Sequence, residues 1–355
     1  MLQLLHALIT TPSPSREEAA TADLIAHYLR DRGLTPHRHG NNVWAKSRNW
    51  TDGRFTLLLN SHHDTVKPAA GYTRDPHLPE VIDGKLYGLG SNDAGGALVA
   101  LIEAFVQTEN DPDLAVNLVL AATAEEEISG PNGVAALLPL LPPLDAGIVG
   151  EPTLLELAVA ERGLVVLDGE TRGASGHAAR KEGINALYLA LEDILAIRDH
   201  RFLHNSPHLG PTTATVTVIQ SGSQHNVVPD RCTFVVDLRV NDGYTNEAAV
   251  AELQSVCRHA VLTPRSTRLQ SSRIAEDHPL VRAARRARPT AKAYGSPTLS
   301  DQALLPLPTL KLGPGDSARS HTADEFIYVR EVEEAVGVYV RTILGLGPRP
   351  TGPTA

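Results

Sequence analysis

Residues 55–65 read Phe-Thr-Leu-Leu-Leu-Asn-Ser-His-His-Asp-Thr. The apolar run Phe55–Asn60 has the length of a strand and ends on a cluster of polar groups. Two more runs are built alike. Asn117–Ala122 opens onto Thr123-Ala124-Glu125-Glu126-Glu127, and Ala146–Gly150 opens onto Glu151-Pro152-Thr153. Short apolar runs without polar alternation predict strands buried on both faces, as in a parallel sheet. In open α/β sheets, ligands sit outside the carboxyl ends of the strands. Groups delivered there converge on one crevice.

Working outward, apolar strands alternate with helical stretches such as Ala97–Val106 up to about residue 161. This predicts an α/β fold with a doubly wound, mostly parallel sheet. Ahead of it, Arg16–Arg32 reads as an amphipathic helix, capped by Ser15 with Glu18 completing a capping box, and ended by Gly33. After Glu161 the texture changes. Leu164–Thr171, Thr213–Ile219, Thr233–Val240 and Arg265–Gln270 read as strands, with helices at Gly183–His200 and Thr245–His259. The order β-α-β-β-α-β predicts an inserted ferredoxin-like α+β domain. The expected division is a discontinuous catalytic domain, 1–162 and 273–355, interrupted by an insert at 163–272. A strand at Thr309–Leu312 and a helix at Val329–Leu344 close the first domain, and the Pro/Gly-rich tail Gly345–Ala355 is expected to fray.

The chain has 355 residues, enough for two domains. Apolar residues make up 42% and charged residues 21%, the balance of a soluble globular enzyme. A net charge of −9 argues against a nucleic-acid surface. The basic run Arg282–Arg288 reads as a solvated helix face. No apolar run is long enough for a membrane span, and the first residues lack the basic leader of a signal peptide. Cys232 and Cys257 have no CxxC spacing, so no disulfide framework is expected and a cytoplasmic location is.

The polar clusters differ in weight. His62 and Asp64, two apart at a strand end, point to the same side, and such a carboxylate can take the second N–H of a metal-bound imidazole. Taken alone, that string is better explained as a surface polar cluster. Asp93 sits in the glycine-dense turn Gly88-Leu89-Gly90-Ser91-Asn92-Asp93-Ala94-Gly95-Gly96, where a carboxylate can bridge two metals or simply cap a helix. Gly88-Leu89-Gly90 matches the start of a dinucleotide fingerprint poorly, since Asp93 replaces its third glycine. Three adjacent acids, Glu125-Glu126-Glu127, repel one another at a buried strand end unless cations are near; an acidic helix start is the alternative. Glu151 is held by Pro152. His321 lies in the loop Gly313-Pro314-Gly315-Asp316-Ser317-Ala318-Arg319-Ser320-His321-Thr322 with no evident packing role. Together these clusters predict a metal-dependent hydrolase.

In this order and across nearly the whole chain, the motifs resemble the di-zinc amidohydrolases that include acetylornithine deacetylase, succinyl-diaminopimelate desuccinylase, aminoacylase and the glutamate carboxypeptidases such as carboxypeptidase G. The resemblance implies two Zn²⁺, for which Co²⁺ can substitute. His62, Asp93 and Glu151 would hold one ion. Asp93, Glu127 and His321 would hold the other, with Asp93 bridging, Glu126 the general base and Asp64 the partner of His62. The insert resembles the family's lid and dimerisation domain. Gly173-Ala174-Ser175-Gly176-His177-Ala178-Ala179 would send His177 to the neighbouring subunit's site in a homodimer; a structural histidine capping a turn is the alternative. Asn226 and Arg239, in Gln224–Pro229 and Asp237-Leu238-Arg239, would hold substrate. Arg180 or Lys181 would supply a cation for a longer acyl group, or simply face solvent.

Two departures stand out. Glu125 replaces the commoner Asp before the Glu-Glu pair, and Ser91-Asn92 replaces the commoner residues before the bridging acid. Gly295–Gln302, which includes Thr298 and Asp301, and Gly315–Ser320 look most like the acetylornithine deacetylase branch, with its acyl-citrulline relatives, and would shape the substrate pockets. The expected substrate is then an N-acyl-L-amino acid of arginine biosynthesis: N-acetyl-ornithine, or N-acetyl- or N-succinyl-citrulline. A dipeptidase or carboxypeptidase on the same scaffold and, remotely, a non-catalytic metal-dependent binding protein are the alternatives.

Overall fold

The computed structural model describes residues 1–180 and 182–347. The proposed cation Lys181 and the tail from Pro348 therefore lie outside the described residues. The chain forms two compact units, one from Met1–Val159, Arg273–Tyr294 and the segment from Ser300 on, the other from Ala160–Ser272 with Gly295–Leu299.

The first unit is a mixed α/β structure. Its sheet runs in the order His37–His39, Asn42–Lys46, Val116–Thr123, Phe55–His62, Ala146–Val149, Thr309–Lys311, Leu157–Glu161. Four neighbouring strands at its centre are parallel: Phe55 pairs with Val116 and His62 with Thr123, Leu57 pairs with Ala146, and Thr309 with Gly147. Every residue of Phe55–His62 is buried. Leu57 and Leu59 point into one core beneath the helices Gly96–Thr108 and Val329–Leu344, while Leu58 joins Val119, Val134 and Leu137 on the other face. Burial of each such side chain stabilises the fold by about 1.5–3 kcal/mol. That two-sided burial is why the run shows no polar alternation. The four parallel strands end together, so the segments after His62, Thr123, Val149 and Lys311 leave the sheet on one side.

The N-terminal segment departs from the expectation. A helix, Leu2–Thr10, precedes the predicted one, which itself spans Ala19–Arg30. Ser15 does not cap it: its hydroxyl donates to Asp64 Oδ2 at 2.7 Å. Glu18 does not close a capping box either. It is fully buried and accepts the backbone N–H of Arg16 and of Glu125 through Oε1, and the Asn41 side-chain amide through Oε2. Tertiary partners took both groups from the local motif.

The second unit is a four-stranded antiparallel sheet, ordered Thr213–Ser221, Arg231–Val240, Gly163–Arg172, Val261–Pro264. Helices Ala186–Asp199 and Asn246–Val256 cover one face, and the elements follow one another as β-α-β-β-α-β. The last strand is Val261–Pro264, not Arg265–Gln270. Pro264 ends an edge strand, where a missing N–H is tolerated. Arg265 instead forks onto the Asp168 carboxylate.

Candidate metal centre

His62 is the last residue of its strand and is 1% exposed. Its Nδ1 donates to the Asp64 carbonyl at 3.0 Å, which leaves Nε2 to the acidic cluster. Around Nε2 stand Asp93 Oδ1 at 3.3 Å, Glu151 Oε1 at 3.8 Å and Glu126 Oε2 at 3.9 Å. His321 Nε2 lies 3.0 Å from Glu127 Oε2 and 3.6 Å from Asp93 Oδ2. The two Asp93 oxygens thus face two different imidazoles. One ligand atom each from His62, Asp93 and Glu127 fall within 4.8 Å of one another, the spacing of a metal-ion site.

His63 turns the other way. Thr21 Oγ1 lies 2.9 Å from its Nδ1, and the Asn41 carbonyl lies 3.0 Å from its Nε2. Burial in this apolar setting lowers its pKa to about 4, so the ring is neutral. Glu125 is likewise removed from the cluster. Its backbone is left-handed, at φ 55°, and its carboxylate accepts the side-chain and backbone N–H groups of Asn132. Gly130 is required beside it, because a Cβ there would collide with the Glu125 carboxylate. Of the three adjacent acids only Glu126 and Glu127 therefore face the crevice.

Crowding like charges in a buried place shifts their titration. Burial, with Glu151, Asp301 and Glu127 nearby, pushes the Glu126 carboxyl well above its usual range. Burial, reinforced by Asp93 and Glu127, raises Glu151 to about 8. The hydrogen bond to Glu127 raises His321 to about 9, against a smaller loss from burial. For His62, burial opposes the charged form, but Glu126, Asp64, Asp93 and Glu151 outweigh it and hold its pKa well above usual. Glu151 Oε1 is buried without a hydrogen-bond partner. An orphaned carboxylate oxygen facing an imidazole and other carboxylates is the donor set of a hard or borderline divalent cation. The residues fit such an ion.

Of the other predicted site residues, Asp301 stands close enough to the cluster to raise the Glu126 pKa, and the rest belong to the second unit. Asp301 is buried and accepts the Asn60 amide at 2.9 Å and the Thr123 hydroxyl at 2.7 Å, beneath the strand ends. In the second unit, His177 and Asn226 are exposed neighbours: His177 pairs with Val227, and Ala178 N–H donates to the Asn226 carbonyl. Arg239 forks onto Asp237 at 2.7 and 3.1 Å. Arg180 and Thr298 are exposed. Sequence reasoning gave Glu18 a local capping role instead of its tie to the Glu125 turn, and missed exposed Asn132 and buried Glu325, which hold the turns at Glu125 and Asp93.

A protein-family model described as peptidase family M20/M25/M40 matches residues 58–345. A putative [LysW]-lysine/[LysW]-ornithine hydrolase of Pyrobaculum aerophilum is 30% identical over 363 residues, covering 98% of each chain. Among solved structures, aminopeptidase PepT from Bacillus cereus superposes with a TM-score of 0.78 at 20% identity, over 97% of both chains. A dinuclear metal binding peptidase of the M20 family from Bacillus subtilis gives 0.74 at 15% identity, over 97% of this chain and 96% of that one. At these identities the two structures speak to the fold alone, while the family model spans every strand-end motif of the cluster. The chain is a hydrolase belonging to peptidase family M20/M25/M40.

Proposed function

We propose that this hydrolase cleaves the amide bond of an N-acyl-L-amino acid in arginine biosynthesis, with an acyl-ornithine as the first candidate. The observation that carries the reading is Asp93, whose two carboxylate oxygens face His62 on one side and His321 on the other. His62, Asp93 and Glu151 would hold one cation, and Asp93, Glu127 and His321 the second; Zn²⁺ suits both, with Co²⁺ as a substitute. Bound there, such a pair polarises an amide carbonyl and lowers the pKa of water.

The chain's own groups supply the proton transfers. Glu126 stands 3.9 Å from His62 Nε2. It takes a proton from the attacking water as the oxygen adds to the amide carbon, then gives that proton to the departing nitrogen as the C–N bond breaks. Asp64 orients the turn that carries Glu126, as its two bonds to that turn's backbone require.

Ornithine is favoured because two independent lines meet on it. The loop motifs look like the acetylornithine deacetylase branch, and the name of the Pyrobaculum relative carries [LysW]-ornithine as well as [LysW]-lysine. Asn226 and Arg239 are proposed substrate contacts, Arg239 by exchanging Asp237 for a substrate carboxylate. Arg180, Thr298 and Asp301 are proposed to shape the acyl and side-chain pockets. A homodimer through the second unit is supported by an exposed stripe, Tyr188, Leu191 and Leu195 along helix Ala186–Asp199 with Ile184 just ahead of it, beside the edge strand Thr213–Ser221. In that dimer His177 would serve the partner's site.

The test is free-amine release by metal-loaded protein from N-acetyl-ornithine, N-acetyl-citrulline, N-succinyl-citrulline, [LysW]-ornithine, [LysW]-lysine and dipeptides. Preference for an ornithine compound is expected. Turnover of dipeptides alone would overturn the substrate assignment.

A further inference from the structure

The Asp93 turn and the His321 loop lie more than 220 residues apart in sequence, yet hydrogen bonds weld them together. Asn92 is fully buried. Its Oδ1 accepts the Asp316 N–H at 3.0 Å, and its Nδ2 donates to the Asp316 carbonyl at 3.0 Å and to Ser320 Oγ at 3.2 Å. The Ser320 hydroxyl in turn hydrogen-bonds the Asp93 carboxylate. From the other side, Glu325, 1% exposed, accepts the backbone N–H of Asn92 at 2.8 Å and of Asp93 at 3.0 Å through one oxygen. Gly315, at φ 85°, allows the approach: a Cβ there would collide with Asn92 Oδ1. Every bond in this set joins the residue beside Asp93, or Asp93 itself, to the segment that delivers His321.

We propose that Asn92 and Glu325 are positioning residues, which lock Asp93 to the His321 loop and thereby set the affinity of the metal position those two residues share. The inference rests on the two-cation reading above. Asn92 is one of the departures from the commoner residues that the resemblance implies at this turn. Neither residue touches the cation. Each acts by fixing where a carboxylate oxygen and an imidazole nitrogen stand, since a ligand pair free to separate binds an ion more weakly. His62, which faces the other Asp93 oxygen, has supports outside the clamp, the strand end and the Asp64 carbonyl. The clamp therefore bears unequally on the two positions.

The experiment is a calorimetric titration of chelator-stripped full-length protein with Zn²⁺, resolving the first and second equivalents, with thermal unfolding of the stripped form as the check on folding. Asn92→Ala should weaken the second equivalent about 10- to 100-fold and leave the first nearly unchanged, the scale of losing a residue that orients a metal ligand. Ser320→Ala, a smaller change, should shift the same equivalent in the same direction. Glu325→Ala should do likewise, while Glu325→Gln, which keeps a carbonyl oxygen for the two N–H groups, should restore wild-type binding. Equal weakening of both equivalents, or no weakening in Asn92→Ala and Ser320→Ala, overturns the clamp. A wild-type protein that takes up a single equivalent overturns the two-cation reading itself, before any variant is compared.

Discussion

Asp64 accepts the backbone N–H of Glu126 on Oδ1 at 3.1 Å while its other oxygen takes the N–H of Glu127 at 3.2 Å and the Ser15 hydroxyl at 2.7 Å. Its carboxylate thus orients the turn that presents the base and one ligand, and its Oδ1 also stands 3.4 Å from His62 Nδ1, beside the Asp64 carbonyl that the ring N–H reaches at 3.0 Å. Asp64→Ala should lower metal affinity about 10- to 100-fold and kcat with it. Metal content after dialysis and steady-state rates check this. Unchanged values for both would mean the turn holds itself.

Glu126 gives a cleaner separation. Glu126→Gln keeps the shape and removes the proton acceptor, so turnover should fall by about 10²- to 10⁴-fold or more with metal uptake close to wild type. Rates measured beside metal stoichiometry decide it. Retained turnover would remove Glu126 from the chemistry.

The metal-stripped protein should show a distinctive pH dependence. Glu151 titrates at about 8 in the fold against 4.5 when free, and His321 at about 9 against 6.5. Both groups bind more protons folded than unfolded between those limits. The stability linked to them is therefore present at the acid end of each window and lost as pH rises through the folded value. His63 has the opposite sign. Its folded value of about 4 lies below its free value of 6.5, so its contribution is present above 6.5 and lost as pH falls toward 4. Melting temperature of stripped protein should peak near neutrality or just below and fall toward pH 9. Metal-loaded protein should lose much of the alkaline fall, because the ion takes the protons' place. A flat profile for stripped protein above pH 6.5 would contradict the assignment.

Asp301 tests a different link. Its removal leaves Asn60 and Thr123 without their acceptor, so Asp301→Ala should destabilise the fold by about 1–3 kcal/mol. Denaturant unfolding measures this. A rise in KM with unchanged stability would show instead that substrate is its main partner.

The strands were legible because burial on both faces writes an unbroken apolar run, as in Phe55–Asn60, and the ligands were legible because each follows such a run or a glycine-rich turn. The partners of those ligands were not. Glu18 and Ser15 matched a local capping pattern, and nothing near them in the chain indicates that Asp64 and the turn at Glu125 would claim them. Glu325 holds the turn at Asp93 from 232 residues away. Hydrogen bonds of that span depend on how the chain returns, and periodicity carries no trace of it. The edge strand Val261–Pro264 is only four residues long, too short for an alternating pattern to separate it from the Arg265–Gln270 segment that follows.

One feature of the sheet bears on how the molecule is made. Thr309–Lys311 lies between Ala146–Val149 and Leu157–Glu161, two strands that leave the ribosome some 150 residues earlier. Until it arrives, the nascent first unit has a slot in the middle of its sheet, lined by two unpaired strand edges, and lacks His321. The strand that fills the slot and the loop that carries His321 therefore arrive together. A polypeptide stopped before residue 309 should remain a sticky, metal-incompetent fragment, and a ribosome-stalled series should gain protease resistance only once that strand has cleared the exit tunnel.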